Sequence, residues 1–200
     1  MKATEILSQE HQVILQVLNC LDQIIQEATA TGKLEAQPAR DAIEFFQMFA
    51  DKCHHGKEEA HLFTAMEAKG FPRTSGPTAV MLMEHESGRA FIRGMSEAVE
   101  AAGQGDRAAV QRFAQSGRNY IDLLRGHIEK EDHCLFGMAN QAFSEQDQHD
   151  LLTAFEKTEA EHMGAGTHEK YLAVARALAE RYGIANQCAP GACHGCSCEH

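Results

Sequence analysis

Residues 53–63 read CHHGKEEAHLF and residues 126–136 read GHIEKEDHCLF. Aligned without a gap, both carry His-x-x-Lys-Glu-x-x-x-Leu-Phe, so His54 and Glu58 recur as His127 and Glu131. A separation of four residues stacks two side chains on one face of a helix, one turn apart. Imidazole with carboxylate is a donor set suited to first-row transition metals, and bridging carboxylates can hold two such ions together. Two lone histidines have the neighbours of interior positions. His11 falls on a stripe with Leu7, Ile14 and Leu18, and His85 lies between Met81 and Ile92 on the equivalent stripe of another helix. Each follows a glutamate, Glu10 or Glu84, and they precede the paired histidines by 43 and 42 residues respectively.

The chain therefore reads as two tandem helical hairpins, each contributing one lone His and one His-x-x-x-Glu pair. A single such pair arises by chance on surface helices, and a lone His on an apolar face is more often a hydrogen-bonded core residue. Four histidines and two glutamates in a repeated register are harder to explain that way. Two ionised carboxylates in a bundle interior would cost several kcal/mol each and would repel, so cations or protons must compensate them. Six side chains leave open positions on two octahedral ions, which is what a small oxidant such as O2 needs.

The elements that position these residues follow from the apolar period, which recurs every three or four positions without strand-like alternation. Leu7, Ile14, Leu18, Leu21 and Ile25 predict a first helix over 4–30. Pro38 suits the first turn of a second, reaching Lys69, and GFPRTSGP at 70–77 breaks the chain. A third helix carries Met81, Ile92, Met95 and Val99 and stops at AAGQGD. Asp106 is the expected N-cap of a fourth, which runs to Gln141. Ser144 with Asp147 forms a capping box opening a fifth, and GAG at 164–166 separates it from a last segment, 167–182. The expected fold is all-α, an up-down-up-down four-helix bundle over 1–182 with an additional C-terminal helix, followed by a flexible Cys-rich tail, 183–200.

Composition agrees with a soluble domain of one core. The chain has 200 residues, of which 44% are hydrophobic and 24% charged. Its formal charge is −11 with no Lys/Arg cluster, which argues against nucleic acid or an anionic membrane as partner. The start, MKATEILSQEH, turns polar after two apolar residues, unlike a secretory signal, so a cytoplasmic address is expected. Seven cysteines, an odd number, are expected to be reduced thiols.

His11, His54-x-x-x-Glu58, His85 and His127-x-x-x-Glu131 resemble the signature of the hemerythrin-like (HHE cation-binding) family, with FADKCHHGKEEAHLF and MLMEHESGRA as the most specific stretches. The similarity covers about 1–182. It implies a bundle holding two non-haem iron ions, oxo- or hydroxo-bridged, with Glu58 and Glu131 bridging and the four histidines as ligands. It also implies behaviour toward O2, peroxide or nitric oxide, as a sensor or as an oxidoreductase consuming the oxidant. Oxygen-carrying hemerythrins have a His four residues after the third-helix ligand and an Asp on the fourth helix. Here Arg89 and Glu131 depart from that pattern. One ligand fewer favours reaction over storage.

Glu159, His162 and His168 could supply the missing ligand or could belong to a solvated face. Tyr120 is read as a core aromatic with a satisfied hydroxyl, within possible reach of the site. His55, Glu59, His61, His133 and His149 fall off the interior stripes and are read as surface residues. In the tail, Cys188, Cys193, Cys196 and Cys198, with His194 and His200 interleaved, suit zinc or another soft metal, or thiol exchange; an unstructured end is the competing reading. An alternative for the whole protein is iron or zinc binding and handling without redox chemistry. The electron donor is not legible.

Overall fold

A computed structural model describes residues 1–160 and 166–185. Among them every regular element is helical. Helix α1 spans Ala3–Thr31, and α2 opens at Ala36–Phe45 with Pro38 in its first turn. The chain then continues without a break through two π-wound stretches, Phe46–His55 and Glu58–Leu62, into α3, Phe63–Ala68. Helix α4 is Gly76–Gly103. Helix α5, Arg107–Lys130, passes through a third π-wound stretch, Glu131–Leu135, into α6, Phe136–Ala142. Two shorter helices follow, α7 (Glu145–Thr158) and α8 (Thr167–Arg181).

The helix starts have local causes. The Asp106 carboxylate accepts from the N–H groups of Ala108 and Ala109 at 2.8 and 3.1 Å, satisfying donors that a helix start leaves unpaired. Ser144 Oγ accepts from the Asp147 N–H while the Asp147 carboxylate accepts from the Ser144 N–H, so the expected capping box forms. Glycine ends α1: Gly32 takes the left-handed conformation, φ 73°, and its N–H reaches the Ala28 carbonyl.

Helices α4 and α5 pack along their length, α1 lies against α5 and α2, and α2 lies against α4. One additional C-terminal helix was expected; there are two. α7 sits over the start of α1 and the second π stretch, while α8 lies along α1 and α2. The bundle's contacts run slightly past the expected boundary at 182. Ile184 packs on the core, and the Ala185 carbonyl lies 3.4 Å from the Gln16 amide.

Apolar side chains form two clusters. The larger includes Leu18, Leu21, Phe45, Phe46, Phe49, Met95, Phe113 and Tyr120. The smaller includes Leu7, Leu62, Phe63, Met66, Met81, Leu135 and Phe136. The interior histidines and glutamates lie between these two clusters in sequence along every long helix. Among the described residues, no helix is long and apolar enough to cross a membrane.

Candidate metal centre

All six side chains singled out from the repeated string and its partners are buried: none of His11, His54, Glu58, His85, His127 and Glu131 is more than 1% exposed. Their Nε2 atoms converge on the two carboxylates. His54 and His85 approach the two oxygens of Glu58 at 3.5 and 3.4 Å, and His11 and His127 approach one oxygen of Glu131 at 3.3 Å each. The hairpins thus exchange partners, because each glutamate receives one His from its own helix and one from another.

Every Nδ1 faces outward to a second acid. His54 donates to Glu10 at 2.9 Å, His127 to Glu84 at 3.0 Å, His85 to Glu59 at 2.8 Å and His11 to Asp132 at 2.9 Å. A carboxylate can only accept, so these bonds put the proton on Nδ1 and leave the Nε2 lone pair pointing inward. Outer carboxylates of this kind orient metal-ligating imidazoles and raise their basicity. Cations neutralise the outer ring in turn. Lys57 pairs with Glu10 and Lys130 with Glu84, while Arg89 holds Glu59 at 2.6 Å and Asp51 at 2.8 Å.

Each letter of the repeated string now has a place. The His faces the centre, the Lys holds the acid behind that His, and the Glu lies in the centre. The Leu-Phe pair closes the smaller apolar cluster over it. The Phe rings lie parallel to the lone histidines, Phe136 on His11 at 5.5 Å and Phe63 on His85 at 5.9 Å. The π-wound stretches coincide with His54, Glu58 and Glu131, as wider helical turns often do at functional positions.

A metal fits this arrangement on three observations. Neither oxygen of Glu58 or Glu131 makes a hydrogen bond, although all four are buried; such orphans are rare and costly. Two lone pairs also confront each other, His85 Nε2 and His127 Nε2 at 3.1 Å, a contact that only a shared cation or proton relieves. Finally, one donor atom from each of His11, His54, Glu58 and Glu131 lies within 4.8 Å of the others, and the same holds for His55, Glu58, His85 and His127. Glu58 belongs to both groups.

Without metal, protons carry the compensation. Burial, then the neighbouring Glu131 charge, pushes Glu58 up out of the usual carboxylate range. Burial acts the same way on Glu131, but the imidazoles of His127 and His11 outweigh it and hold that carboxyl well below its ordinary value. Burial opposes charge on His11 and His127, yet the acids around them prevail, raising His11 to about 9 and His127 to about 10. His54 and His85 are lowered, chiefly by burial.

The expected surface residues divide. His133 and His149 are exposed. His61 bonds Thr158 Oγ1 at 2.7 Å. His55 and Glu59 are corrections: His55 is 4% exposed and stacks on His85 at 3.9 Å, and Glu59 is the outer acid of His85. The 3.6-residue stripe excluded them because it followed only the His54–Glu58 line; the i,i+3 spacing of His55 and Glu58, also a neighbour relation on a helix, was the available signal. The Glu preceding each lone His likewise marked an outer acid, but of the paired histidine rather than of its neighbour.

The other candidates lie elsewhere. Glu159 bonds Lys57 at 2.8 Å and groups with Glu10, Cys53 and His168, behind His54 and outside the central set. His162 and the tail residues Cys188, His194, Cys193, Cys196, Cys198 and His200 fall outside the described residues. Tyr120 is a core aromatic edge-on to Phe46 at 4.9 Å, but its hydroxyl has no hydrogen-bond partner, contrary to expectation. Arg89 points to the outer acids, not the centre. Cys20 and Cys53 are buried free thiols, while Cys134 is a free, exposed one.

A helical bundle that converges buried imidazoles on two carboxylates could hold a metal cation. The family model for the hemerythrin HHE cation-binding domain matches residues 2–139, and the chain belongs to that family. Neither the curated proteins nor the solved structures gave a match.

Proposed function

We propose that the protein holds two iron ions between Glu58 and Glu131 and uses them to bind, and react with, O2, peroxide or nitric oxide, as a sensor or a detoxifying oxidoreductase. The observation that carries this reading is the pair of buried, hydrogen-bond-free carboxylates facing four imidazoles, each with its Nδ1 paired to a second acid. His11 and His54 would serve one ion and His85 and His127 the other, with both glutamates as bridges. The long helices joined by short turns support an up-down-up-down bundle of hemerythrin type, with the Cys-rich remainder as an appendage.

Iron bound here would supply reversible oxidation and open positions for a small diatomic or peroxide ligand. The chain's own residues do the rest. Glu10, Glu84, Glu59 and Asp132 hold the imidazoles in orientation; Lys57, Lys130 and Arg89 pair with the three glutamates, and Ser8 donates to Asp132. Leu7, Leu62, Phe63, Met81, Leu135 and Phe136 shield the centre, so water is kept from whatever ligand enters.

Anaerobic purification followed by metal analysis and stopped-flow mixing with each of the three oxidants tests this. Two irons per chain and a spectral change with at least one oxidant are expected. A spectrum unmoved by all three overturns the redox reading, and two tightly held zinc ions with no iron would replace it with metal handling.

A further inference from the structure

His55 lies next to a signature residue but outside the signature, three residues before Glu58 instead of four. Its side chain nevertheless enters the interior. It is 4% exposed, and neither of its ring nitrogens makes a hydrogen bond. The ring lies nearly parallel to His85, 3.9 Å between centroids and 14° between planes, and edge-on to His127 at 5.6 Å. A buried imidazole with both nitrogens unpartnered is an unfavourable core residue unless something binds it.

We infer that His55 is a metal ligand, the third histidine on the ion served by His85 and His127. This rests on the dinuclear reading above. Three independent features support it. One donor atom of His55 comes within 4.8 Å of donors from Glu58, His85 and His127, all buried, and Glu131 and the other two histidines are not part of that group. Its Nδ1 faces the Asp51 carboxylate at 3.5 Å, repeating the outward acid that backs each of the other four imidazoles. Asp51 is in turn held by Arg89, the same cation that holds the acid behind His85. The arrangement therefore gives His55 the burial and the outward acid of the four signature histidines, with a longer outer contact and no hydrogen bond to satisfy it otherwise.

The inference also accounts for Arg89. One turn after His85, Arg89 steers the acids behind His55 and His85 and stays out of the centre, and the third imidazole comes from the second helix. Because no equivalent residue follows His127 (Ile128 is apolar and lies in the larger cluster), the two ions become unequal. One has three histidines and the other two. The deficit of one ligand expected from sequence disappears.

Titration of the metal-free protein with Co(II), followed by proton NMR, provides the test. Each coordinated histidine should contribute one exchangeable, hyperfine-shifted Nδ1–H signal. Five such signals are expected in the wild type, falling to four in His55→Gln, with the second Co(II) bound roughly tenfold or more weakly. His133→Ala, an exposed neighbour of Glu131 in sequence, should keep all five. Four signals in the fully loaded wild type, or second-ion affinity in His55→Gln within about threefold of wild type, would overturn the role of His55 while leaving the dinuclear reading intact. Failure of the wild type to take two Co(II) ions would instead remove that reading and this inference with it.

Discussion

Glu58 belongs to both candidate donor groups and Glu131 to one of them; on the proposed bridging by both, losing either affects both ions. Glu58→Ala or Glu131→Ala should lose most bound iron, read by metal analysis, and full occupancy in either would refute bridging. The outer acids predict a graded effect. Glu10→Gln and Glu84→Gln leave the inner ligands in place and should weaken iron binding about 10- to 100-fold. The metal-free protein should also show its uncompensated centre in its pH dependence. His11 and His127 titrate near 9 and 10 when folded, above the ordinary histidine value, and Glu58 is likewise raised. The folded state then binds more protons than the unfolded one, so stability falls as pH rises from about 7 to 10. Metal displaces those protons, and the loaded protein should lose much less over the same window. A melting temperature of the metal-free form that stays flat from pH 7 to 10 would contradict this. At this scale the six central residues were legible because identical polar spacing appeared twice on apolar stripes. His55, Glu59 and Asp132 were not, since their inward or outward direction depends on helix winding that a regular period does not anticipate.

Helices carry the second layer of information. Caps and breakers were readable from short-range chemistry: Asp106, Ser144 with Asp147, and the Gly/Pro cluster at 70–77 act on their own neighbours. The π-wound stretches were not readable, because they go with the tertiary convergence of His54, Glu58 and Glu131, and no local propensity encodes that convergence. Glycines inside helices offer a check on packing. A Cβ on Gly103 would sit 2.9 Å from Ala36 Cβ, which has no rotamer by which to move away, whereas one on Gly126 meets nothing within 4 Å. Gly103→Ala should therefore destabilise the fold by about 1–3 kcal/mol through overpacking. Gly126→Ala should stabilise it by about 0.5–1 kcal/mol through helix propensity. Urea denaturation of both metal-free variants measures the contrast, and equal shifts would count against the packing of α4 on the α1–α2 turn.

As a whole, the molecule places a polar layer between two apolar clusters and lays α7 and α8 along one side. Chain length and hydrophobic fraction pointed to one core; the division of that core by the polar layer follows only from tertiary packing. Ile184 and Ala185 contact the bundle, so the test of the tail expected from sequence spares them: removal of residues 186–200 should leave helix content and iron loading nearly unchanged by circular dichroism and metal analysis. A collapse of both would make those residues part of the bundle. Iron itself should raise the melting temperature, because a ligand bound only by the folded chain shifts the equilibrium by mass action.

The two lysines of the repeated string hold equivalent acids under unequal cover. Lys57 is fully buried, with Glu159 and the Phe155 ring of α7 above it, whereas the Lys130 side chain is 47% exposed. An amine-acylating reagent should consequently modify Lys130 on the native protein and spare Lys57, the latter reacting only when α7 lifts away. Mass spectrometry of the two peptides would then time the opening of that flank, with the uncovered twin serving as an internal clock.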